Sequence, residues 1–411
     1  MNSDNCIGII ELGNVNLKCV IFKINNDNTS EIISSSIMPS EGIHNGVIVN
    51  LTKASNSIRS CISNAEKNAK ISLKKINVVV EQPEFLCTKF SKHKKIDGSK
   101  IHKDDIVFLL KEAKKQASHN DNKQSIIHIF NYNYMVDGKA FVEEPIDVYA
   151  DFLSHEVSFI TIPKNNLKNI NQAFNDCDIE IERLISCTFA LGAKLLKTAE
   201  LKYGSVLVDI GFEKISIGIF KNLALIHSIT LPIGINHLSK DIAKVCSLNL
   251  KDSEIIRNNI DYAFEENGDI FDDKNFLKKM YFSNSNFRKI SKNLILNIVK
   301  ARLNEILEIL KKQIKIAGLD LNSGVSFFIV GGGSNLKNLK NYFSDFFGAN
   351  VDKPKSNNKI SIKNNTEDKF VSCLGAFKII KDGWETEAIP QKVDKNIEKI
   401  GFLSKIFGIF R

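Results

Sequence analysis

Two stretches of the chain, far apart in sequence, share one pattern of apolar and polar positions. Residues 7–24 read IGIIELGNVNLKCVIFKI, and residues 206–225 read VLVDIGFEKISIGIFKNLAL. Each begins with an apolar run, which is followed by an acid, an aliphatic residue and a glycine. A second run, with apolar residues at alternate positions, comes next. Alternation with a period of two is typical of β-strands, and the glycine marks a tight turn. The pattern therefore predicts the same β-hairpin twice.

The same order of elements is predicted around both hairpins, namely three strands, a helix and a further strand. In the first half these are strands 7–12, 17–24 and 31–37, a helix over 51–69 and a strand over 76–80. In the second half they are strands near 205–210, 215–220 and 224–231, a helix from about 236 and a strand over 325–330. Alternating strands and helices, repeated in this way, predict an α/β protein built by internal duplication.

Each predicted half is interrupted by an insertion, and a polar segment precedes the last residues. We expect a first core domain of 1–82, 164–201 and 357–381 with an insertion at 83–163, and a second core domain of 202–236 and 315–356 with a helical insertion at 237–314. Residues 382–396 are expected to be a linker, in which Trp384 has no assigned role, and 397–411 a final helix.

The final segment has a one-sided apolar pattern. Apolar residues recur at helical spacing, supported by neighbours on the same side, and the segment is cationic; its candidate membrane-binding residues are Ile400, Phe402, Leu403, Ile406, Phe407 and Phe410. A short basic amphipathic helix after a linker is typical of a membrane-surface anchor. The alternative is a terminal helix that packs on the protein's own core.

Composition excludes several classes of protein. The chain has 411 residues, 43% of them hydrophobic, which is enough for two or more domains. Its eight cysteines lack C-x-x-C spacing and its histidines lack an i, i+4 pair, so we expect reduced core thiols in a cytosolic protein and no metal site. No signal peptide, transmembrane stretch or arginine–aromatic stripe for nucleic acid is expected. The net charge of +9 fits either an acidic lipid or protein partner or a chain generally rich in lysine.

The two predicted turns have residues suited to a phosphorylated ligand. Glu11 and Asp209 end their strands, where a carboxylate can hold a hydrated Mg²⁺, and Gly13 and Gly211 allow backbone N–H groups to approach an anion. A third cluster, Gly331, Gly332, Gly333 and Ser334, follows a strand and leads into a helix, as in nucleotide sites. Two matching halves suggest a clamp around the ligand.

With these three loops in this order, the chain resembles the actin-like ATPase superfamily and, within it, the FtsA family of bacterial cell-division proteins. The resemblance covers nearly all of the sequence. It implies an actin-like fold of duplicated ribonuclease-H-like domains, with an FtsA-type subdomain at 83–163 and a C-terminal amphipathic helix. It also implies that ATP with Mg²⁺ is bound by the family's segments, which match these positions: Glu11, Gly13 and Asn14 (phosphate-1), Asp209, Gly211 and Lys214 (phosphate-2), Gly234, Arg302 and Glu305 (the following turn and the ribose side), and Gly331, Gly332, Gly333 and Ser334 (adenosine).

Two of these segments depart from the family pattern. Asn14 and Asn16 stand where the family usually has a hydroxyl and a lysine, and Phe212-Glu213-Lys214 stands where it has glycines and a threonine. A bulky ring and an added carboxylate should weaken phosphate contacts, with Lys214 as a candidate replacement cation. We therefore expect a degenerate ATP cleft without competent hydrolysis.

The resemblance implies an adaptor rather than an enzyme. The tail would lie on the cytoplasmic face of the inner membrane at the septum, the body would form filaments, and other division proteins would bind the inserted subdomain. The helical insertion would hold the acidic C-terminal peptide of tubulin-like FtsZ, with Arg288 and Lys292 at matching basic positions. The alternatives are a small-molecule kinase, which needs an intact phosphate-2 loop and a general base, and a PilM-like pilus-assembly adaptor, which would lack the tail.

Overall fold

The computed structural model describes residues 5–264, 270–281, 289–321, 324–354 and 367–388. The described residues form two compact units. The first comprises those up to Gly204, Gly218–Ile229 and those from 367 onward, and the second comprises Ser205–Ile217 and Thr230–Pro354. The predicted tail residues (397–411) and Arg288 lie outside the described residues.

The regular elements follow the predicted order of strands and helices. Up to Gly204 they are β1 (Cys6–Leu12), β2 (Asn16–Ile24), β3 (Ser30–Pro39), β4 (Ile43–His44), β5 (Val47–Ile48), α1 (Leu51–Ala69), β6 (Lys75–Val80), β7 (Leu86–Lys100), α2 (Lys103–Asn120), β8 (Gln124–Val136), β9 (Lys139–Phe141), β10 (Tyr149–Pro163), α3 (Lys164–Asn175), β11 (Glu180–Ser186), α4 (Cys187–Leu195) and α5 (Thr198–Tyr203). They continue with β12 (Ser205–Ile210), β13 (Ile215–Lys221), β14 (Ala224–Leu231), α6 (Asn236–Cys246), α7 (Leu250–Asn259), α8 (Lys292–Ile316), β15 (Ser326–Val330), α9 (Leu339–Phe347), β16 (Val351–Asp352) and α10 (Val371–Asp382). Short 3₁₀ turns lie at Lys279–Tyr281, Gly332–Asn335 and Glu367–Lys369.

The two five-stranded sheets have the same topology. One has the order β3-β2-β1-β6-β11 and the other the order β14-β13-β12-β15-β16. In both sheets, the first strand of the hairpin pairs in parallel with a strand that follows a helical segment. These pairs are β1 with β6 and β12 with β15. The predicted duplication is therefore present in the strand order of the two sheets.

Helix α1 illustrates how local sequence sets an element. Its N-cap, Asn50, accepts a hydrogen bond from the Lys53 backbone N–H, which satisfies one of the donors left unpaired at a helix start. The buried side chains recur at helical spacing and include Ile58, Cys61 and Ile62. The helix ends where Lys70 adopts a left-handed conformation with φ of 55°. The predicted bounds and the observed ones coincide.

The insertion is a separate small sheet with the order β7-β10-β8-β9. Helix α2 packs against β7 and β10. The shared core is apolar and includes Ile101, Ile106, Leu109 and Leu153, all at most 1% exposed. Its longest strands, β7 and β10, have fifteen residues each.

The segment after α10 differs from the predicted linker, which was expected to begin at residue 382. Residues 384–388, called the strap below, pair with β8 at an antiparallel bridge between Glu387 and Phe130. Around it the Asn131 N–H donates to the Thr386 carbonyl and the Ala388 N–H to the Ile129 carbonyl, both at 2.8 Å. The strap is packed because this part of β8 lies beyond the reach of the three-residue strand β9, so its backbone needs another partner.

Trp384, unassigned from the sequence, holds the strap in place. Its indole Nε1 donates to the Leu223 carbonyl at 2.6 Å, and its ring meets Phe189 edge-on with centroids 5.2 Å apart. Glu387 is buried and accepts from His128 Nδ1 at 2.6 Å and from the Arg183 guanidinium. A buried carboxylate paired in this way strongly resists being pulled out, since removal would leave a buried charge unpaired.

His155 is a buried base in the insertion and makes stability depend on pH. Within the residues that the structure describes, neither of its ring nitrogens has a hydrogen-bond partner. The ring stacks on Tyr134 with centroids 4.4 Å apart. Burial lowers the pKa of His155 to about 3, so the unfolded chain takes up a proton below its usual pKa of about 6.5 while the folded protein does not.

We expect the wild-type protein to lose about 2 kcal/mol of unfolding free energy through this one histidine between pH 7 and pH 5. The variant His155→Phe keeps the ring stack and removes the titration, so its loss over the same range should be smaller by that amount. Urea unfolding at the two pH values measures the difference. Parallel pH dependence in the two proteins would contradict the assignment.

Candidate functional site

In the first unit, the turn between β1 and β2 is closed by an ion pair. Glu11 and Lys18 are direct cross-strand partners, and Lys18 Nζ lies 3.0 Å from Glu11 Oε2. Glu11 also accepts a hydrogen bond from the Ser372 hydroxyl of α10. Asn14 Oδ1 accepts from the Asn45 backbone N–H at 2.8 Å. The Glu11 carboxylate, expected to hold a hydrated Mg²⁺, is thus engaged by a lysine and a hydroxyl.

Lys18 is a cation at this turn that the sequence analysis missed. The residue types at positions 14 and 16 suggested that no lysine was present, but the hairpin register brings position 18 opposite position 11. Burial opposes its charge, yet the neighbouring Glu11 carboxylate raises the pKa of Lys18 above its usual range. The signal was available in the sequence, because a four-residue turn places residues i and i+7 opposite each other.

In the second unit, the ends of two parallel strands bring the glycine segments together. Asp209 of β12 pairs in register with Val330 of β15, so both strands end at the same edge. Gly331 follows with φ of 82°, and a Cβ there would overlap Asp209 Oδ1 and come 2.7 Å from the Ile210 carbonyl oxygen. Such a close approach of backbone to backbone is possible only for glycine.

Three further glycines complete this arrangement, which we call the glycine cradle (Gly211, Gly234, Gly331 and Gly333). The Gly211 N–H donates to the Lys214 carbonyl at 2.9 Å, which closes the turn after β12. A Cβ on Gly234 would meet the backbone of Phe212, and one on Gly333 would meet the side chains of Ile210 and Ile235. Gly332 has open space around it, and Ser334 Oγ donates to the Gly331 carbonyl at 2.8 Å.

Phe212 packs against a buried arginine. The Arg257 guanidinium carbon lies 5.9 Å from the centre of the Phe212 ring, and its Nη1 donates to the Ile235 carbonyl at 3.4 Å. Arg257 is 4% exposed, and burial lowers its pKa from the ordinary value. Sequence reasoning missed Arg257 because a single arginine in a polar helix carries no periodic signal.

Glu213 is neutralised locally. Its carboxylate accepts from Asn236 Nδ2 at 2.7 Å and lies 3.1 Å from Lys240 Nζ. Burial alone would raise its pKa, but these hydrogen bonds and the nearby ammonium lower the pKa of Glu213 below its usual value. The expected added negative charge is therefore balanced by the Lys240 ammonium of α6, and the Asn236 amide adds a hydrogen bond.

Arg302 and Glu305, expected near a ribose, belong to an ion-pair network. Arg302 Nε and Nη2 donate to the two carboxylate oxygens of Asp241 at 2.6 and 3.0 Å, and Nη1 donates to Glu305 Oε2 at 2.5 Å. The two-pronged bond to Asp241, despite partial burial, raises the pKa of Arg302. The network joins α8 to α6 and fixes the α8 residues at this position.

The other candidate residues divide between described and undescribed parts of the chain. Lys292 begins α8, and its ammonium lies 5.9 Å from the centre of the Phe271 ring.

Among the residues with described positions, no group of three or more His, Cys, Asp or Glu side chains could hold a metal ion. No helix in the described part of the chain is both long and apolar enough to cross a bilayer.

Two family models match the chain. The model described as "Cell division protein FtsA" matches residues 206–375, and the model described as "SHS2 domain inserted in FTSA" matches residues 86–161. Together they cover more than half of the sequence. The second match coincides with the small sheet and helix α2 of the insertion.

Curated relatives of the chain are also named "Cell division protein FtsA". One from Agrobacterium fabrum is 23% identical, over 81% of this chain and 77% of the relative. One from Buchnera aphidicola subsp. Baizongia pistaciae is 26% identical, over 89% and 88%. One from Borreliella burgdorferi is 24% identical and spans 99% of this chain and 98% of the relative.

Solved structures share the fold. A PilM–PilN type IV pilus biogenesis complex aligns with a TM-score of 0.62 at 13% identity, over 92% of this chain and 97% of that one. MreB5 of Spiroplasma citri bound to AMPPNP aligns with a TM-score of 0.50 at 13% identity, over 92% and 96%. These likenesses confirm the expected actin-like α/β fold, and the second family model confirms the inserted subdomain.

The glycine cradle predicts a contrast between adjacent glycines. Gly331→Ala should lower the free energy of unfolding by at least about 2 kcal/mol, because it adds both a backbone overlap and an unfavourable positive φ. Gly332→Ala is the matched control, since nothing lies within 4 Å of its Cβ position. Thermal unfolding of both variants measures the difference. Equal melting temperatures would contradict the cradle geometry.

Proposed function

This chain belongs to the FtsA family of cell-division proteins, and we propose that it is a non-catalytic adaptor that links the FtsZ ring to the cytoplasmic face of the inner membrane at the septum. The observation that carries this proposal is the duplicated sheet order together with an inserted sheet at the FtsA-specific position. Fold alone would not separate an adaptor from a kinase. The match to the FtsA family models supports the adaptor over the kinase.

The membrane contact is assigned to the last fifteen residues. Partial burial of the six apolar side chains listed above would contribute on the order of 5–10 kcal/mol before the ordering cost is subtracted. One tail should therefore bind a bilayer reversibly. Copies linked in an actin-like filament, which we also propose, would bind together much more firmly.

The FtsZ peptide is assigned to the start of α8. Lys292 stands there beside Phe271, and Lys289 lies 5.4 Å from the centre of the Phe276 ring. Ammonium groups held next to aromatic rings suit a short acidic peptide with apolar side chains. Arg288 extends this basic sequence. We assign the other division proteins to the inserted subdomain by family likeness.

Nucleotide binding is supported by the cradle in the second unit. Its glycines let the turns after β12 and β15 pack closely against each other. The helical turn at Gly332–Asn335 can offer N–H groups to a phosphate or sugar, and at Gly332 no protein atom lies within 4 Å of a Cβ position. Asn236 Oδ1 and Ser239 Oγ are buried and, among the described residues, lack a hydrogen-bond partner, so they are available to a ligand. Mg²⁺ would supply charge neutralisation on the phosphates of a bound ATP.

We do not expect Glu11 or Glu213 to act as a general base for ATP hydrolysis. These carboxylates lie in the two segments that depart from the family pattern. A general base must be free to accept a proton from water. Glu11 is held by Lys18 and Ser372, and Glu213 by Asn236 and Lys240. These contacts occupy both carboxylates, which supports an adaptor that binds ATP weakly and does not turn it over.

Isothermal titration should therefore show weak ATP binding by the wild-type protein without steady release of phosphate. Gly331→Ala should abolish the binding heat, because the added methyl group would overlap Asp209 and Ile210 and displace this turn, whereas Gly332→Ala, which meets no protein atom, should weaken the binding less. Sustained phosphate release at a rate typical of enzymes would overturn the non-catalytic assignment.

A vesicle assay tests the adaptor itself. Deletion of 397–411 should release the protein from vesicles containing phosphatidylglycerol, because the apolar face of the tail is lost. The double variant Arg288→Glu, Lys292→Glu should stay on the vesicles but no longer recruit the FtsZ C-terminal peptide. Co-sedimentation with labelled peptide measures both the binding of the protein to vesicles and its recruitment of the peptide. Unchanged sedimentation of the deletion, or unchanged recruitment by the double variant, would refute the corresponding contact.

A further inference from the structure

The strap fixes where the tail leaves the body. Ala388 is fully buried and belongs to an apolar cluster of the insertion with Leu110, Ala113 and Ile129. The chain beyond it therefore starts at the insertion rather than at the end of α10. Residues 389–396 can span at most about 28 Å before the predicted tail helix begins.

A group of lysines surrounds this exit point. We call it the exit patch, and its members are Lys111, Lys114, Lys115, Lys123, Lys164 and Lys168. All six are exposed. Lys114 and Lys164 line one cavity together with Ala388, and the Lys164 N–H donates to the Lys123 carbonyl at 2.8 Å. The remaining members lie within one helical turn of these on α2 and α3.

The positive charge is concentrated in the exit patch and is not a property of the insertion as a whole. Two acids lie among the six lysines: Glu112, which pairs with Lys115 at 2.7 Å, and Asp121, which lines the cavity. Over the whole insertion, 83–163, there are eleven lysines and twelve acids. The lysine richness of the chain therefore does not explain the patch, because the insertion as a whole has no basic excess.

The cavity at the centre of the patch has a volume of about 540 Å³. Its lining includes the apolar residues Ile126, Ile129 and Leu167 together with Lys114 and Lys164. Apolar lining residues beside lysines suit a group that is negatively charged at one end and apolar at the other, as an anionic lipid is.

We propose that the exit patch is a second membrane contact, which binds anionic lipid headgroups and holds the inserted subdomain against the bilayer. The inference rests on the proposed membrane tail, because the tail brings this side of the insertion within about 28 Å of the surface. It adds an orientation to the adaptor, since a tail on a linker alone leaves the body free to rotate. An acidic peptide is the competing occupant, but only the membrane is already tethered beside the patch.

The test uses the full-length protein and three variants. The patch variant is Lys111→Gln, Lys114→Gln, Lys164→Gln. The control variant, Lys95→Gln, Lys100→Gln, Lys139→Gln, makes the same change of charge on β7 and β9 of the same insertion. The tail variant, Ile406→Glu, Phe407→Glu, examines the proposed function separately. Binding is measured by co-sedimentation with vesicles of phosphatidylcholine alone or mixed with phosphatidylglycerol.

We expect the patch variant to bind the mixed vesicles roughly 100-fold more weakly than wild type, at about five-fold per lysine, and the control variant to stay within a few-fold. The two should bind equally to pure phosphatidylcholine. In wild type, amide exchange in residues 111–118 should slow when mixed vesicles are added, a result that does not depend on any variant.

Equal binding of the patch and control variants to mixed vesicles would overturn the proposal. The proposal would also be overturned if the patch variant retained vesicle binding but lost binding to a soluble poly-glutamate peptide. That result would identify a protein partner instead. Failure of the tail variant to lose binding would refute the tether and not the patch, so the two failures are distinguishable.

Discussion

Parallel pairing between the first hairpin strand and the strand after the helical segment is the constraint on which the candidate site depends. In the second unit, the pairing of β12 with β15 brings Asp209 level with Val330, so the residues after both strands meet at one edge. Gly331 and Gly333 then touch Ile210, and a larger residue at either position would force the strands apart. The same pairing of β1 with β6 in the first unit sets the position of Glu11.

Charge pairing then fixes acidic side chains in each unit. In the first unit Glu11 pairs with Lys18. In the second unit Glu213 pairs with Lys240 and Asn236, and Asp241 pairs with Arg302. Pairs of this kind hold carboxylates in one position and occupy their hydrogen-bond acceptors.

The strap links this body to its proposed membrane function. Buried Glu387 joins His128 of the inserted sheet to Arg183 of the first unit's main sheet, and Trp384 reaches Leu223 at the tip of the β13–β14 hairpin. Five residues thus fasten three parts of one unit and fix the exit of the chain. Because the exit lies beside the lysines of α2 and α3, the attachment point of the tail and a basic surface occur together.

The sequence by itself determined the duplicated hairpins, helix α1, the position of the insertion and the glycine turns, because these depend on local periodicity and on residues within a few positions of each other. Lys18 was within its reach through hairpin register but was missed. Tertiary structure alone decided the partners of Glu213 and Arg302, the burial of Arg257 and the docking of Trp384 and Glu387. Those contacts join residues about 20 to 260 positions apart, and their pairing is set by how sheets and helices pack rather than by any pattern along the chain.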